Sequence, residues 1–138
     1  WRAFKRGSYP VVTPSELGAM VKRSGKLLRQ GSWGDPTVVP IEVWDQVDTT
    51  RGTSYTHQWR KFPAMAKWAM ASVSGIAEAT EAQAMGFRTY RVDLDGLGPV
   101  QGEIACPNTA DKSVTCNTCG LCSGNRSGAK SIMITPIV

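Results

Sequence analysis

Residues 68–92 read WAMASVSGIAEATEAQAMGFRTYRV, and their order decides the fold. Trp68 to Val73 is an unbroken run of apolar and small residues without in-and-out alternation, which is how a strand buried on both faces reads. Ser74 and Gly75 interrupt it. Ile76, Ala79, Ala82 and Ala84 then fall along an alanine-rich stretch closed by Gly86, the pattern of a helix. Phe87 to Val92 follows at once as a second strand. Strand, helix and strand with joints this short form a βαβ unit, whose strands run parallel.

The same rhythm recurs on the N-terminal side. Thr13 to Lys26 opens with a Thr cap before Pro-Ser-Glu, places Leu17, Met20 and Val21 at helical spacing and ends at Gly25. A short apolar run, Leu27-Leu28, leads into the turn Gln30-Gly31-Ser32-Trp33-Gly34-Asp35-Pro36. Val39, Val43, Trp44 and Val47 then recur at three and four residues as a helix. Arg51-Gly52 closes it, and Thr53 to Trp59 reads as a strand from its β-branched and aromatic content. The repeat is about 25 to 35 residues long. The fold class is therefore α/β: one domain over residues 1–138 with parallel βα repeats, a partial TIM-barrel-like sheet. Residues 94–104 (LDGLGPVQGEI) are turn-rich, residues 106–128 form a polar, Cys-rich metal-binding loop, and residues 131–138 (SIMITPIV) close the chain as an apolar strand.

Composition agrees with this reading. With 138 residues, 41% hydrophobic and 20% charged, the chain is long enough to bury roughly two-thirds of its surface without disulfide stapling. No apolar stretch approaches the roughly 20 residues of a membrane span, and the basic start through Arg6 is not followed by a signal-type apolar run. A soluble, cytoplasmic protein is expected, with no membrane partner. A first residue of Trp1 in place of Met points to processing or to a piece of a longer frame. The net charge of +5 permits nucleic-acid binding, yet the basic residues are scattered and no run reaches five like charges. Trp1, Trp33, Trp44, Trp59 and Trp68 are assigned to core or rim packing, since few basic residues interleave with them.

The strongest chemical signal is the cysteine spacing. Cys106, Cys116, Cys119 and Cys122, all the cysteines of the chain, lie within 17 positions with nine, two and two residues between them. Cysteines two residues apart can turn both sulfurs towards one centre. Three at that spacing plus a remote Cys-Pro fit the ligand pattern of a [4Fe–4S] cluster, here with the Cys-Pro first. Zn2+ is the competing metal, because Cys119-Gly120 resembles a zinc knuckle, although four-cysteine zinc sites use two separated pairs. Two disulfides are the third reading, which the missing export signal disfavours. With all four cysteines on one cluster no iron corner is open to substrate, so the role expected is structural or electron transfer.

A second candidate ligand site comprises Gly31, Ser32, Gly34, Asp35 and His57. The glycine-rich turn sits where a strand ends and a helix begins, a place where backbone N–H groups can hold a polar ligand. Asp35 as a cap with Pro36 at the first helical position explains the turn equally without a ligand. His57, the single histidine, ends a predicted strand with Ser72 and Arg91 at other strand ends. In a parallel sheet such ends converge on one rim with the cysteine loop. A zinc-binding, nucleic-acid-interacting module is the alternative from another class, with Lys112, Arg126 and Lys130 around the cysteines as phosphate contacts.

The strings WRAFKRGSYP, GSWGDP, YTHQWR, ASVSGIAEATEAQAMGFRTYRV and CNTCGLCSG together resemble an uncharacterised family of phage- and prophage-encoded cysteine-rich proteins over nearly the whole chain. That resemblance implies a viral protein acting in the host-cell cytoplasm with a phage or host protein as partner, and a further N-terminal segment with its own cysteines before the position of Trp1. It implies no reaction. A looser resemblance, in layout only, is to a partial radical S-adenosylmethionine-type barrel, in which a Gly-Glu-Pro-type turn holds the amino end of the cofactor. It implies that the Gly31 to Pro36 turn and His57 belong to an enzyme fragment. Here Asp35 replaces that Glu, and no three cysteines are spaced by three and then two residues.

Overall fold

The computed structural model describes residues 2–124, 126 and 128–136. Trp1, assigned above to packing, lies outside them, as do Ile137 and Val138 of the closing strand and Asn125 and Ser127 of the cysteine loop. A helical turn, α1 (Arg2–Lys5), precedes α2 (Pro14–Ser24). The latter begins at Thr13, whose hydroxyl accepts from the Glu16 backbone N–H while the Glu16 carboxylate accepts from the Thr13 N–H, a reciprocal cap. It ends on Gly25 in the left-handed region at φ 64°. Then come β1 (Leu28–Arg29), a 3₁₀ turn (Pro36–Val38), α3 (Ile41–Trp44), β2 (Gly52–Thr53) and β3 (Tyr55–Thr56). A second 3₁₀ turn (Pro63–Lys67) leads to β4 (Met70–Ser74), α4 (Ile76–Ala84) and β5 (Thr89–Val92). The remainder holds β6 (Glu103–Ala105), α5 (Pro107–Ala110), α6 (Cys116–Cys119), β7 (Leu121–Cys122) and β8 (Ser131–Ile134).

Every strand pair is parallel, so the α/β class and the βαβ unit at residues 68–92 stand. Hydrogen bonding divides the strands into the orders β1-β2-β7 and β3-β4-β5-β8-β6. The two groups meet at Ser54. Its N–H donates to the Cys122 carbonyl at 2.7 Å and its carbonyl accepts from the Met70 N–H at 3.0 Å. Both groups of one strand residue point to the same edge, so residues 52–56 run as one strand whose edge pairs first with β7 and then with β4. Chain order holds from β1 to β5. After that β8 inserts between β5 and β6. The turn-rich reading of residues 94–104 missed β6, because three residues between Gly102 and Cys106-Pro107 carry too little pattern. The helix expected across Val39 to Val47 is a 3₁₀ turn and one α-turn, since Pro40 has no N–H to extend the first.

The apolar core lies between α4 and one sheet face. Trp44, Trp59, Met65, Trp68, Ala71, Val73, Ala79, Ala82 and Phe87 form one buried cluster. Alanine at the inward positions of α4 lets helix and strand approach closely. Trp33 departs from its expected packing role: at 89% exposure it stands in solvent. Arg91 is fully buried and grips both carboxylate oxygens of Glu103 at 2.9 and 2.8 Å and Asp93 at 2.9 Å. This network fastens β5 to β6 and to the loop at Gly98. Among the described residues no helix is long and apolar enough to cross a membrane.

Candidate metal centre

Side chains alternate along each strand, so register assigns the faces. Ala71, Val73, Thr89 and Arg91 share the face that α4 covers. Thr53, Tyr55, Met70, Ser72 and Tyr90 share the other, and Cys122, in register with Thr53, belongs to it. Ser72 and Arg91 therefore point to opposite faces and do not form the common rim expected of them.

The cysteine segment crosses that second face. Cys106 follows β6 directly, its N–H donating to the Met133 carbonyl at 2.8 Å. Cys116 and Cys119 occupy the two ends of α6, capped by Thr115, whose hydroxyl accepts from Thr118 N–H. Gly120 stops this turn at φ 63°, a left-handed value that frees the chain to re-enter the sheet as β7. A Cβ there would lie 2.7 Å from Leu27 Cδ1. Gly124 has a different reason to be glycine: an added Cβ would sit 2.3 Å from the Lys67 carbonyl, where its own N–H donates to Trp68 at 3.1 Å. These contacts press the segment onto the core.

Cys106, Cys116, Cys119 and Cys122 line one pocket, with Thr53 and Leu121 among its walls. All four are free thiols, so paired disulfides are not the arrangement present. As they stand, no group of three or more His, Cys, Asp or Glu among the described residues is gathered closely enough to hold a metal ion. The thiols are nonetheless near enough to feel one another. Burial, then the charges of Cys106, Cys119 and Cys116, push the Cys122 thiol up to about 12, and the Tyr55 hydroxyl, donating to its sulfur, acts against them. Tyr55 and Tyr90 have ring centroids 4.4 Å apart, and both hydroxyls are raised, first by burial and then by Cys122. Sequence reasoning missed this tyrosine pair; its one signal was the aromatic content of two strands, which does not reveal register.

Arginines bind main-chain carbonyls of and beside the segment. Arg51 donates to the carbonyls of Thr118 and Cys119 at 3.2 and 3.4 Å. Arg88 donates from Nη1 to the carbonyls of Leu121 and Ser123, on either side of Cys122, at 3.0 and 2.8 Å. Arg126, read as a phosphate contact, donates instead to the Thr50 carbonyl at 2.8 Å. Lys112 and Lys130 are exposed.

The second candidate site is built differently. Gly31, Ser32 and Gly34 are exposed in a turn closed by Gly34 N–H on the Gly31 carbonyl at 3.3 Å. Asp35 is the cap of the 3₁₀ turn and Pro36 its first residue. Its Oδ1 accepts from the Thr37 N–H, the Thr37 hydroxyl and the Thr56 hydroxyl at 3.1, 2.8 and 2.8 Å, and its Oδ2 accepts from the His57 N–H at 2.9 Å. Burial raises the Asp35 pKa, but the bonds from Thr37, His57 and Thr56 outweigh it and leave it below the ordinary carboxylate value. The structure thus brings Asp35 to His57 through the backbone only, and the His57 side chain is exposed. The carboxylate works as a clamp between the turn and β3.

Comparison of the chain with models of known protein families, with curated proteins and with solved structures gives no match.

Proposed function

We propose that the protein binds one [4Fe–4S] cluster through Cys106, Cys116, Cys119 and Cys122 and that the cluster serves structure or one-electron transfer. The observation that carries this reading is the common pocket of the four thiols, reached from four separate backbone sites, the strand end of β6, both ends of α6 and β7. Thiolates that share one pocket repel, and a bound cation reverses that balance. Bound there, the cluster would supply a one-electron redox couple. The chain's own part is to hold the sulfurs: α6 sets Cys116 and Cys119, β7 sets Cys122, and the cysteine side chains turn inward on loading. Tyr55 orients Cys122 by its hydrogen bond, and the arginines hold the surrounding carbonyls.

Free thiols suit a reducing compartment, which supports action in the host cytoplasm. The viral origin rests on the resemblance of the sequence motifs. The sequential parallel order from β1 to β5 supports the partial-barrel reading, and the insertion of β8 departs from it. The committed carboxylate of Asp35 leaves the enzyme-fragment reading with little support. Zn2+ is the second reading, favoured by the left-handed Gly120 directly after Cys116-x-x-Cys119. Anaerobic purification with metal and sulfide analysis decides between them. About four iron and four sulfide per chain are expected; a colourless protein with one zinc and no sulfide sinks the iron–sulfur reading.

A further inference from the structure

Residues 1–29 hold seven of the chain's 16 basic residues and one of its 11 acidic residues, while the rest of the chain has nine basic against ten acidic. The positive charge of the molecule is therefore that of its N-terminal stretch. The acid in that stretch, Glu16, is taken up by the Thr13 cap. Cations that are scattered along the sequence are partly gathered by the fold. A cavity of about 580 Å³ lies between α2 and the chain entering β1 and β2, and Lys22, Lys26 and Arg51 line it. Arg29 lines an adjoining hollow that shares Leu27 and Leu28 with the first. All four residues are exposed, and among the described residues no carboxylate pairs with any of them. Asp48, the acid in the lining, is already occupied: its Oδ1 accepts from the Thr50 N–H and hydroxyl at 3.0 and 2.7 Å.

The walls of the cavity are fixed by the fold itself. Gly18 brings α2 so close to the loop after α3 that a Cβ has no room beside the Gln46 carbonyl. The Leu27 N–H donates to Asn117 Oδ1 at 3.2 Å. Arg51 is held by Nη2 on the Thr118 and Cys119 carbonyls, and its Nε and Nη1 have no acceptor among the described residues. Val21, Leu27 and Leu28 are half-buried and give the cavity an apolar floor. Its volume falls within the roughly 300–1,000 Å³ of small-molecule sites, and an apolar recess under a cationic rim suits a flat ring joined to phosphate. We propose that the cavity and its neighbour form a binding surface for single-stranded nucleic acid, with phosphates on Lys22, Lys26, Arg29 and Arg51 and an unstacked base against Leu27 and Leu28. Four cations spread over two adjoining hollows match successive phosphates of a strand better than the compact phosphate group of a free nucleotide. A duplex keeps its bases stacked and out of reach of a recess. Insertion into a lipid surface calls for projecting apolar side chains, and here they are recessed. The surface works whether or not the cysteines hold a metal.

The test uses the full chain and a fluorescein-labelled oligothymidylate of about 12 nucleotides, read by fluorescence anisotropy. Neutralising three or four phosphates implies that Kd rises about 20- to 50-fold between about 50 and 200 mM salt. Lys22→Gln combined with Lys26→Gln is expected to weaken binding at least tenfold at the lower salt, to flatten the salt dependence and to leave the thermal midpoint unchanged, since both residues are exposed and unpaired. Lys61→Gln combined with Lys112→Gln removes the same charge at exposed positions outside the cavity and is expected to keep the wild-type affinity. Arg29→Gln, in the adjoining hollow, is expected to bind at least threefold more weakly and carries the test if the first pair does not fold. Wild-type affinity in Lys22→Gln with Lys26→Gln overturns the proposal. So does an equal loss in the two lysine pairs, which would mean that net charge alone holds the strand. A wild type that binds a duplex of the same length as tightly as the single strand, or that binds phosphatidylserine vesicles and not the oligonucleotide, overturns it as well.

Discussion

Residues 68–92, whose helix α4 covers one face of the parallel strands, and residues 106–130, whose Cys122 side chain belongs to the other, are held by different forces. The first region is strand, helix and strand around Trp68, Ala71, Val73, Ala79, Ala82 and Phe87, and apolar burial is enough to define it. The second contains two four-residue helices and a two-residue strand. Its ties to the rest of the molecule are the pairing of β7 with β2, backbone bonds to Ser54, Met133 and Trp68, and bonds made by Arg51, Arg88 and Arg126 to main-chain carbonyls. Helices this short are not stable on their own. The contrast teaches that one region is specified by apolar packing, while the other is held by strand pairing and by hydrogen bonds to its carbonyls.

The strongest way to break this comparison is to remove a ligand. Cys122→Ser, or stripping metal from the wild type with a chelator, is expected to abolish metal uptake and amide-exchange protection over residues 106–130 while α4, β4 and β5 stay protected. Structural four-thiolate sites supply on the order of 10 kcal/mol of folding free energy, so uniform protection after metal removal would refute the division. In the apolar cluster into which residues 68–92 pack, Trp59→Ala, at a position 1% exposed, is expected to cost about 3–5 kcal/mol in denaturant unfolding. It should leave the metal stoichiometry of the folded fraction unchanged. Between the regions, Gly124→Ala forces a Cβ towards the Lys67 carbonyl and is expected to cost about 1–3 kcal/mol. A thermal midpoint equal to the wild type's would show that the segment is not pressed on the core.

The smallest effect sharpens the role of the glycine-rich turn. Asp35→Ala is expected to lose about 1 kcal/mol near neutral pH, as for other lost caps. The folded pKa lies below the ordinary value, so the carboxylate's contribution is present above the usual range near 3.9 and is lost as pH falls through the folded value. Wild type and variant should therefore converge in strong acid. A gap that persists there would mean that the charge is not what the clamp uses.

Much of the first region was legible because its elements are long enough to show a period. Thr13 to Gly25 and Ile76 to Gly86 carry caps and helical spacing within a few residues of their observed ends. Thr53 to Trp59 also reads as a strand, of which residues 53 and 55–56 lie in the ladders, but the hand-over at Ser54 depends on Met70 and Cys122, 16 and 68 residues away in the chain, and leaves no local mark. The cysteine spacing points to a common centre; the four thiols line one pocket but are not gathered closely enough there to hold a metal ion. What it could not convey is the setting: Tyr55, Tyr90 and Arg88 reach that centre only through strand register. Ser72 and Arg91 failed as a pair for the same reason, since a one-residue offset in register reverses the face.

The continuous strand through Ser54 has a mechanical consequence. Its edge is shared by β7 and β4 in succession, so Cys122 is fixed to a rung of the same ladder that carries the βαβ unit. Any displacement of that cysteine meets a paired backbone rather than a slack connection. The Ser54 N–H binds Cys122 and the Ser54 carbonyl binds Met70, so the residue that seats the cysteine also seats the first strand of the βαβ unit.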